Sequence, residues 1–214
     1  VLVRGDCLQV LPAVSGVDAV VTDPPYGIDF EYDEYQDTRD NLRRLIKNVS
    51  PFFRKVSRSL VFCGPTQIHE YPTPEWVCVA SWNTTGSRGR CGFSQWTPIL
   101  FYGKDVGGGF KSRDGILKSD VLRFSGGAGV GFMRKEAINH PCPKPLNIIE
   151  SVVRRYTEPT DSVCDMFAGS GTTGVACVKA KRAFIGIEYS QSYFNEARDR
   201  IAKAQQAKAE MLVA

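Results

Sequence analysis

Ser162-Val-Cys-Asp-Met-Phe-Ala-Gly-Ser-Gly-Thr-Thr173 passes from a short apolar run through two glycines into a helix-forming stretch. Residues Ser162 to Phe167 predict a buried strand and Thr172 to Lys181 a helix, which places the glycines at a strand-to-helix turn. Glycine there lets a ligand come close to the backbone, and a helix amino terminus offers unpaired N–H groups. The turn has no Lys-Ser/Thr pair, so it is not a triphosphate-binding loop. Outward from it, Ala183-Phe-Ile-Gly-Ile-Glu188 predicts a second strand. A last helix runs from Ser190, its cap, to about Ala209, and another precedes the turn over Asn147 to Tyr156. Strands alternating with helices imply an α/β fold with a doubly wound, mainly parallel sheet.

The amino-terminal half continues the pattern. Asp18 to Asp23 predicts a buried parallel strand broken by Pro24-Pro25, and Ser59 to Cys63 a second one ended by Gly64-Pro65. Between them, residues 38 to 55 place Leu42, Leu45, Ile46, Val49 and Phe53 on one helical face. Trp76 to Trp82 and Thr97 to Tyr102 predict two further strands joined by a glycine-rich, hairpin-like loop from Thr84 to Phe93. Pro98 is expected to keep the second near a sheet edge. The 214 residues suit one domain, which buries about 70% of its surface without disulfide or metal. No apolar run reaches the length of a membrane span and no secretory leader opens the sequence. Seven cysteines without a C-x-x-C pair argue for reduced thiols, and two histidines are too few for a histidine-rich metal site. A cytoplasmic protein, monomer or homodimer, is expected.

Charge is uneven. Residues 84 to 139 carry nine basic and four acidic side chains, a local net of +5 within a total of +4, and hold 12 of the 20 glycines. Aromatic residues are interleaved with them. A polyanion is the natural partner for such a tract, because cations release counterions from phosphates and glycine admits close backbone approach. A solvated surface loop has the same composition, so the tract decides nothing without its neighbours.

Two groups carry candidate chemistry. Glu188 ends the strand 17 residues after Gly171, where a carboxylate can accept both hydroxyls of a ribose. Adenosine without phosphates would fit such a turn. In Asp23-Pro24-Pro25-Tyr26, two prolines fix φ and remove two N–H donors, leaving the Asp23 carboxylate and the Pro24 carbonyl as rigid acceptors beside an aromatic ring. Acceptors with a stacking face describe a pocket for a planar amine, such as a nucleobase turned out of its helix.

These two segments together resemble the amino-group DNA methyltransferases that use S-adenosylmethionine. The tetrapeptide precedes the cofactor loop, the permuted order of the family's beta class. Gly5-Asp6-Cys7, Trp96 to Lys104 and His140-Pro-Cys-Pro-Lys-Pro145 extend the resemblance over residues 4 to about 200. It implies the Rossmann-like class I methyltransferase fold, as a single domain over 1–214, with the insert at about 105–139 as a minimal target-recognition region. It also implies that Asp23, Pro24, Pro25 and Tyr26 bind the target base. Asp6, Cys7, Asp23, Lys144, Asp165, Phe167, Ala168, Gly169, Ser170, Gly171, Thr172 and Glu188 would hold the cofactor. In that assignment Asp6 contacts the adenine amino group and Lys144 lies by the methionine end. Arg88, Arg90, Lys111, Arg113, Lys118 and Arg123 are the candidate DNA contacts. Met166 stands where the family often has proline. Cys142 and His140 are read as bystanders. N6-adenine DNA methylation is the favoured activity, since N4-cytosine enzymes more often resemble a Ser-Pro-Pro-Tyr start. RNA adenine methylation and a silent nucleic-acid-binding subunit are the other readings. A protein glutamine methyltransferase would have Asn in place of Asp23 and the cofactor loop first.

Overall fold

Residues such as Ala19-Val-Val-Thr22 and Ser162-Val-Cys-Asp165 alternate no polar side chains, and they form strands covered on both faces. The structure is a computed structural model and describes residues 1–82, 88–89, 91–104, 119–124, 140 and 142–213. In chain order the elements are Leu2–Arg4 (β1), Cys7–Val10 (α1), Ala19–Thr22 (β2), Arg39–Lys55 (α2), Arg58–Phe62 (β3), Trp76–Trp82 (β4), Arg88–Gly89 (β5) and Gly92–Phe93 (β6). There follow Trp96–Gly103 (β7), Val121–Phe124 (β8), Leu146–Tyr156 (α3), Ser162–Asp165 (β9), Thr172–Ala180 (α4), Ala183–Glu188 (β10) and Gln191–Val213 (α5). Eight strands form one sheet in the order β1-β10-β9-β2-β3-β7-β4-β8, in which β7 alone runs antiparallel to its neighbours.

Alternate residues of the central strands face opposite layers. Val20, Val61, Leu100 and Cys164 pack on Leu42, Ile46, Val49 and Phe53 of α2, whose amino terminus is capped by Thr38. Ala19, Val21, Leu60, Phe62, Ile99 and Val163 pack on Ile149, Val152 and Val153 of α3 and Ala176 and Cys177 of α4. Each fully buried valine, leucine, isoleucine or phenylalanine among them contributes about 1.5–3 kcal/mol. Helix α5 covers α4, β1 and β10.

One expectation is corrected. Pro98 does not lie near an edge: β7 is an inner strand, hydrogen-bonded to β3 on one side and β4 on the other. The missing N–H is compensated locally. The Pro98 carbonyl still accepts from Cys63 N, and the Cys63 carbonyl, which a Pro98 N–H would have served, accepts instead from Thr97 Oγ1 at 3.1 Å. Strands β1 and β8 and the short α1 were not expected from the sequence, and β8 occupies the edge.

From β9 the chain steps to β10 and from β2 it steps to β3, in opposite directions across the sheet. The seam where β2 meets β9 is therefore the point at which connections reverse, and the crevice beyond the strand ends is where ligands bind in such sheets.

Candidate active site

At this seam two sequence-distant segments are tied by one threonine. Thr22, the last residue of β2, donates from Oγ1 to Asp165 Oδ1 at 2.7 Å and accepts from Met166 N at 3.2 Å. Asp23-Pro-Pro-Tyr26 and the glycine turn thus open onto one cavity of about 410 Å³.

Asp23 sits at the junction. Its Oδ1 accepts from Tyr26 Oη at 2.8 Å and its Oδ2 from Lys144 Nζ at 2.6 Å. Burial, then the charge of Asp23, pushes the Tyr26 phenol well above its ordinary range, so its hydroxyl stays a donor. Among the described residues no donor reaches the Pro24 carbonyl. The exit turn is pinned from behind. Gly27 has a φ of +66° and lies so close to Arg39 and Leu42 that a Cβ would approach them to 3.0 Å. Asp37 accepts from the N–H groups of Gly27, Ile28 and Phe30, shaping the segment that carries Phe30, Tyr32 and Tyr35 into the cavity wall.

On the opposite wall, Glu188 accepts from Gly169 N at 2.7 Å through Oε2 and from Ser190 N at 2.8 Å through Oε1. Burial raises its pKa while those N–H groups lower it. Asp165 is buried and its carboxyl is pushed up to about 6, by desolvation first, against the hydrogen bonds from Thr173, Thr22 and Phe167 N. Asp6 caps α1 by accepting from Leu8 N, and Cys7 lines the cavity with a thiol raised to about 12 by burial.

Of the expected cofactor positions, Asp6, Cys7, Asp23, Lys144, Asp165, Phe167, Ala168, Gly169, Ser170, Thr172 and Glu188 line the cavity. Gly171 does not. It has a φ of +79° and faces α5, where a Cβ would come within 2.9 Å of Ala197 Cα. Its role is to let the turn pack. Of the expected DNA contacts, Arg123 is exposed on β8 and Arg88 lies on β5, while Arg90, Lys111, Arg113 and Lys118 fall outside the described residues.

Sequence reasoning missed several wall residues. His140, set aside as a bystander, lines the cavity against Tyr193, with ring centroids 4.5 Å apart. Desolvation lowers it to about 4, so at neutral pH it is an uncharged ring and only a weak base. A Cβ on Gly169 would meet its Nε2 at 3.1 Å, so the imidazole packs directly on the Gly169 backbone. Arg200 of α5 donates to the Ser170 carbonyl and, at 3.0 and 3.3 Å, to the Ser170 and Thr172 hydroxyls. Helical spacing from Ala197 was its only signal. The cluster Phe30, Tyr32 and Tyr35, directly after the double proline, was visible in composition. Cys142, exposed at the cavity rim, also lines the cavity, and partial desolvation raises its thiol.

Comparison with known proteins gives the same direction. A DNA methylase family model for N6 and N4 methyltransferases matches residues 118–199. The DNA adenine methyltransferase YhdJ of Escherichia coli K12 is 25% identical over 99% of this chain and 85% of its own length. Among solved structures, the M1.HpyAVI complex with S-adenosylmethionine superposes with a TM-score of 0.68 at 24% identity, covering 93% of this chain and 98% of that one. The cytosine-N4-specific PvuII DNA methyltransferase superposes at 0.62 and 17% identity, covering 96% and 90%. At these identities the superpositions establish a common fold.

Proposed function

We infer that this chain, which matches the N6/N4 DNA methylase family model over residues 118–199 and is similar to YhdJ along nearly its whole length, is a DNA methyltransferase of that kind and transfers a methyl group from S-adenosylmethionine to the exocyclic N6 of adenine in DNA. The observation that carries the reading is the Thr22 bridge, which puts an acceptor-rich, aromatic corner and a glycine turn on two walls of one cavity.

The residues present fit the cofactor. Gly169, packed on the His140 ring without a side chain, brings the turn's backbone to the cavity, and the Glu188 carboxylate, held by two N–H groups, keeps lone pairs for ribose hydroxyls. Asp6 and Cys7 would lie by the adenine, and Phe167, Ala168, Gly169, Ser170 and Thr172 along the turn. Gly171 acts from behind, and Lys144 would face the carboxylate of the methionine end. When bound, the cofactor supplies an electrophilic methyl on a sulfonium.

The chain's own task is to make a poor nucleophile reactive. An exocyclic amine delocalises its lone pair into the ring. Asp23 and the Pro24 carbonyl, accepting one N–H each, draw the nitrogen toward tetrahedral geometry and aim its lone pair, while Tyr26 and Pro25 frame the ring. This is positioning plus preorganised electrostatics, with no covalent intermediate on the protein. The proton leaves afterwards to Asp23 or solvent. Asp23, rather than serine, at the head of the tetrapeptide favours adenine over N4 of cytosine. The insert at about 105–139, of which residues 119–124 are described and carry β8 at the sheet edge, would contribute target recognition within one domain.

The test is direct: incubate the protein with plasmid DNA and labelled S-adenosylmethionine, digest, and identify the modified nucleoside by mass spectrometry. N6-methyldeoxyadenosine is expected. N4-methyldeoxycytidine alone would move the activity to the other base, and the absence of both overturns the reading.

A further inference from the structure

Both oxygens of Asp23 are already engaged, one by Tyr26 and one by Lys144, and the Lys144 ammonium also lies 4.9 Å from the centroid of the Tyr26 ring. It meets the same two partners that a target base would need: a carboxylate acceptor for an N–H and the face of an aromatic ring. We propose that Lys144 is an internal stand-in for the target amine, holding Asp23 and Tyr26 until the amino-acid carboxylate of the cofactor draws it away, so that the base enters only after the cofactor. The proposal rests on the reading of residues 23–26 as the target-base pocket.

The geometry supports both halves of this exchange. Lys144 stands between Pro143 and Pro145, which restrict the backbone, so movement falls to its flexible four-carbon stem. Its side chain is 20% exposed, in the cavity wall rather than locked in the core. The other carboxylates of that wall are committed. Asp6 caps α1, Glu34 accepts from Gln191 N, Asp37 holds the Gly27 turn, Asp165 is bound by Thr22, and Glu188 by Gly169 and Ser190. The anion that withdraws Lys144 from Asp23 therefore comes with a ligand.

Such a device makes cofactor and target binding positively coupled, and the coupling must be reciprocal. The probe is a duplex that the wild-type protein methylates, carrying 2-aminopurine at the methylated position, with S-adenosylhomocysteine as the unreactive cofactor. In wild type the fluorescence rise of an unstacked base should require S-adenosylhomocysteine. K144M and K144Q should give that rise with protein alone and bind the duplex ~10- to 100-fold more tightly without cofactor, the scale of one charged hydrogen bond. K144R, which keeps the ion pair, should retain the dependence. Folded K144M and K144Q, verified by cooperative thermal unfolding, that still need S-adenosylhomocysteine as wild type does would overturn the proposal. So would a wild type that unstacks the base equally without cofactor. A wild type that methylates no DNA would instead overturn the function on which the proposal rests.

Discussion

In the proposed function Asp23 accepts one N–H of the target amine beside the Pro24 carbonyl, so Asp23→Ala should remove transfer, by roughly a thousandfold or more, with a smaller effect on S-adenosylmethionine binding measured by calorimetry. Two other residues set a pH signature of the fold. Asp165 has a folded pKa of about 6 against an ordinary 3.8, so the native state binds its proton more tightly and this group's contribution to stability declines as pH rises from about 4 to 6. His140 has a folded pKa of about 4 against 6.5. There the unfolded state binds the proton more tightly, and stability is lost as pH falls from about 6.5 to 4. The two slopes oppose each other over nearly the same window. Asp165→Asn, which keeps an oxygen for Thr22, should therefore leave a stability that rises more steeply with pH than wild type. His140→Gln should give the reverse. Urea midpoints at pH 4.5, 5.5 and 6.5 for the three proteins check the signs.

At the scale of elements, the glycine turn is held between the amino end of α4 and the flank of α5. Gly171→Ala puts a methyl against Ala197 at a φ of +79°, and a strained backbone of this kind costs about 1–3 kcal/mol, so a lowered melting temperature is expected. Arg200→Met leaves α5 in place but frees the Ser170 carbonyl and the two hydroxyls, so it should weaken cofactor binding more than it lowers the melting temperature. The two variants separate packing from loop control. Most elements were legible because their signals are local: an apolar run stopped by Pro24-Pro25, a five-residue apolar face on α2, glycines before α4. What was not legible depends on neighbours. The three residues of β1 form a strand because β10 offers an edge, and Pro98 sits inside the sheet because Thr97 supplies the hydroxyl that its ring denies. The site divides the same way. The motif residues could be read from type and spacing, whereas His140 and Arg200 acquire roles only when α5 and the 140–145 segment are brought onto the cavity.

At the scale of the molecule, charge and connectivity converge on one region. The excess of basic residues lies within 84–139, and that stretch is bracketed by sheet and site: it leaves β4, returns through β7 and β8, and resumes at His140 in the cavity wall. If the proposed function holds, a cationic tract whose described ends are Phe124 on the sheet edge and His140 in the cavity wall would hold a duplex while one base is engaged. Neutral substitution of Arg88, Arg90, Lys111 and Arg113 together removes four of the tract's nine positive charges. Every phosphate left without its cation should flatten the log–log salt dependence of duplex affinity by about 0.9, so the quadruple variant should show a slope shallower by up to about 3–4. Cofactor affinity should be unchanged, because Glu188, Gly169 and Lys144 are untouched. Fluorescence anisotropy between about 50 and 200 mM salt measures the slope. An unaltered slope would mean that the tract is a solvated loop and that phosphates are met by other cations, with Arg123 on the exposed edge of β8 the next to substitute.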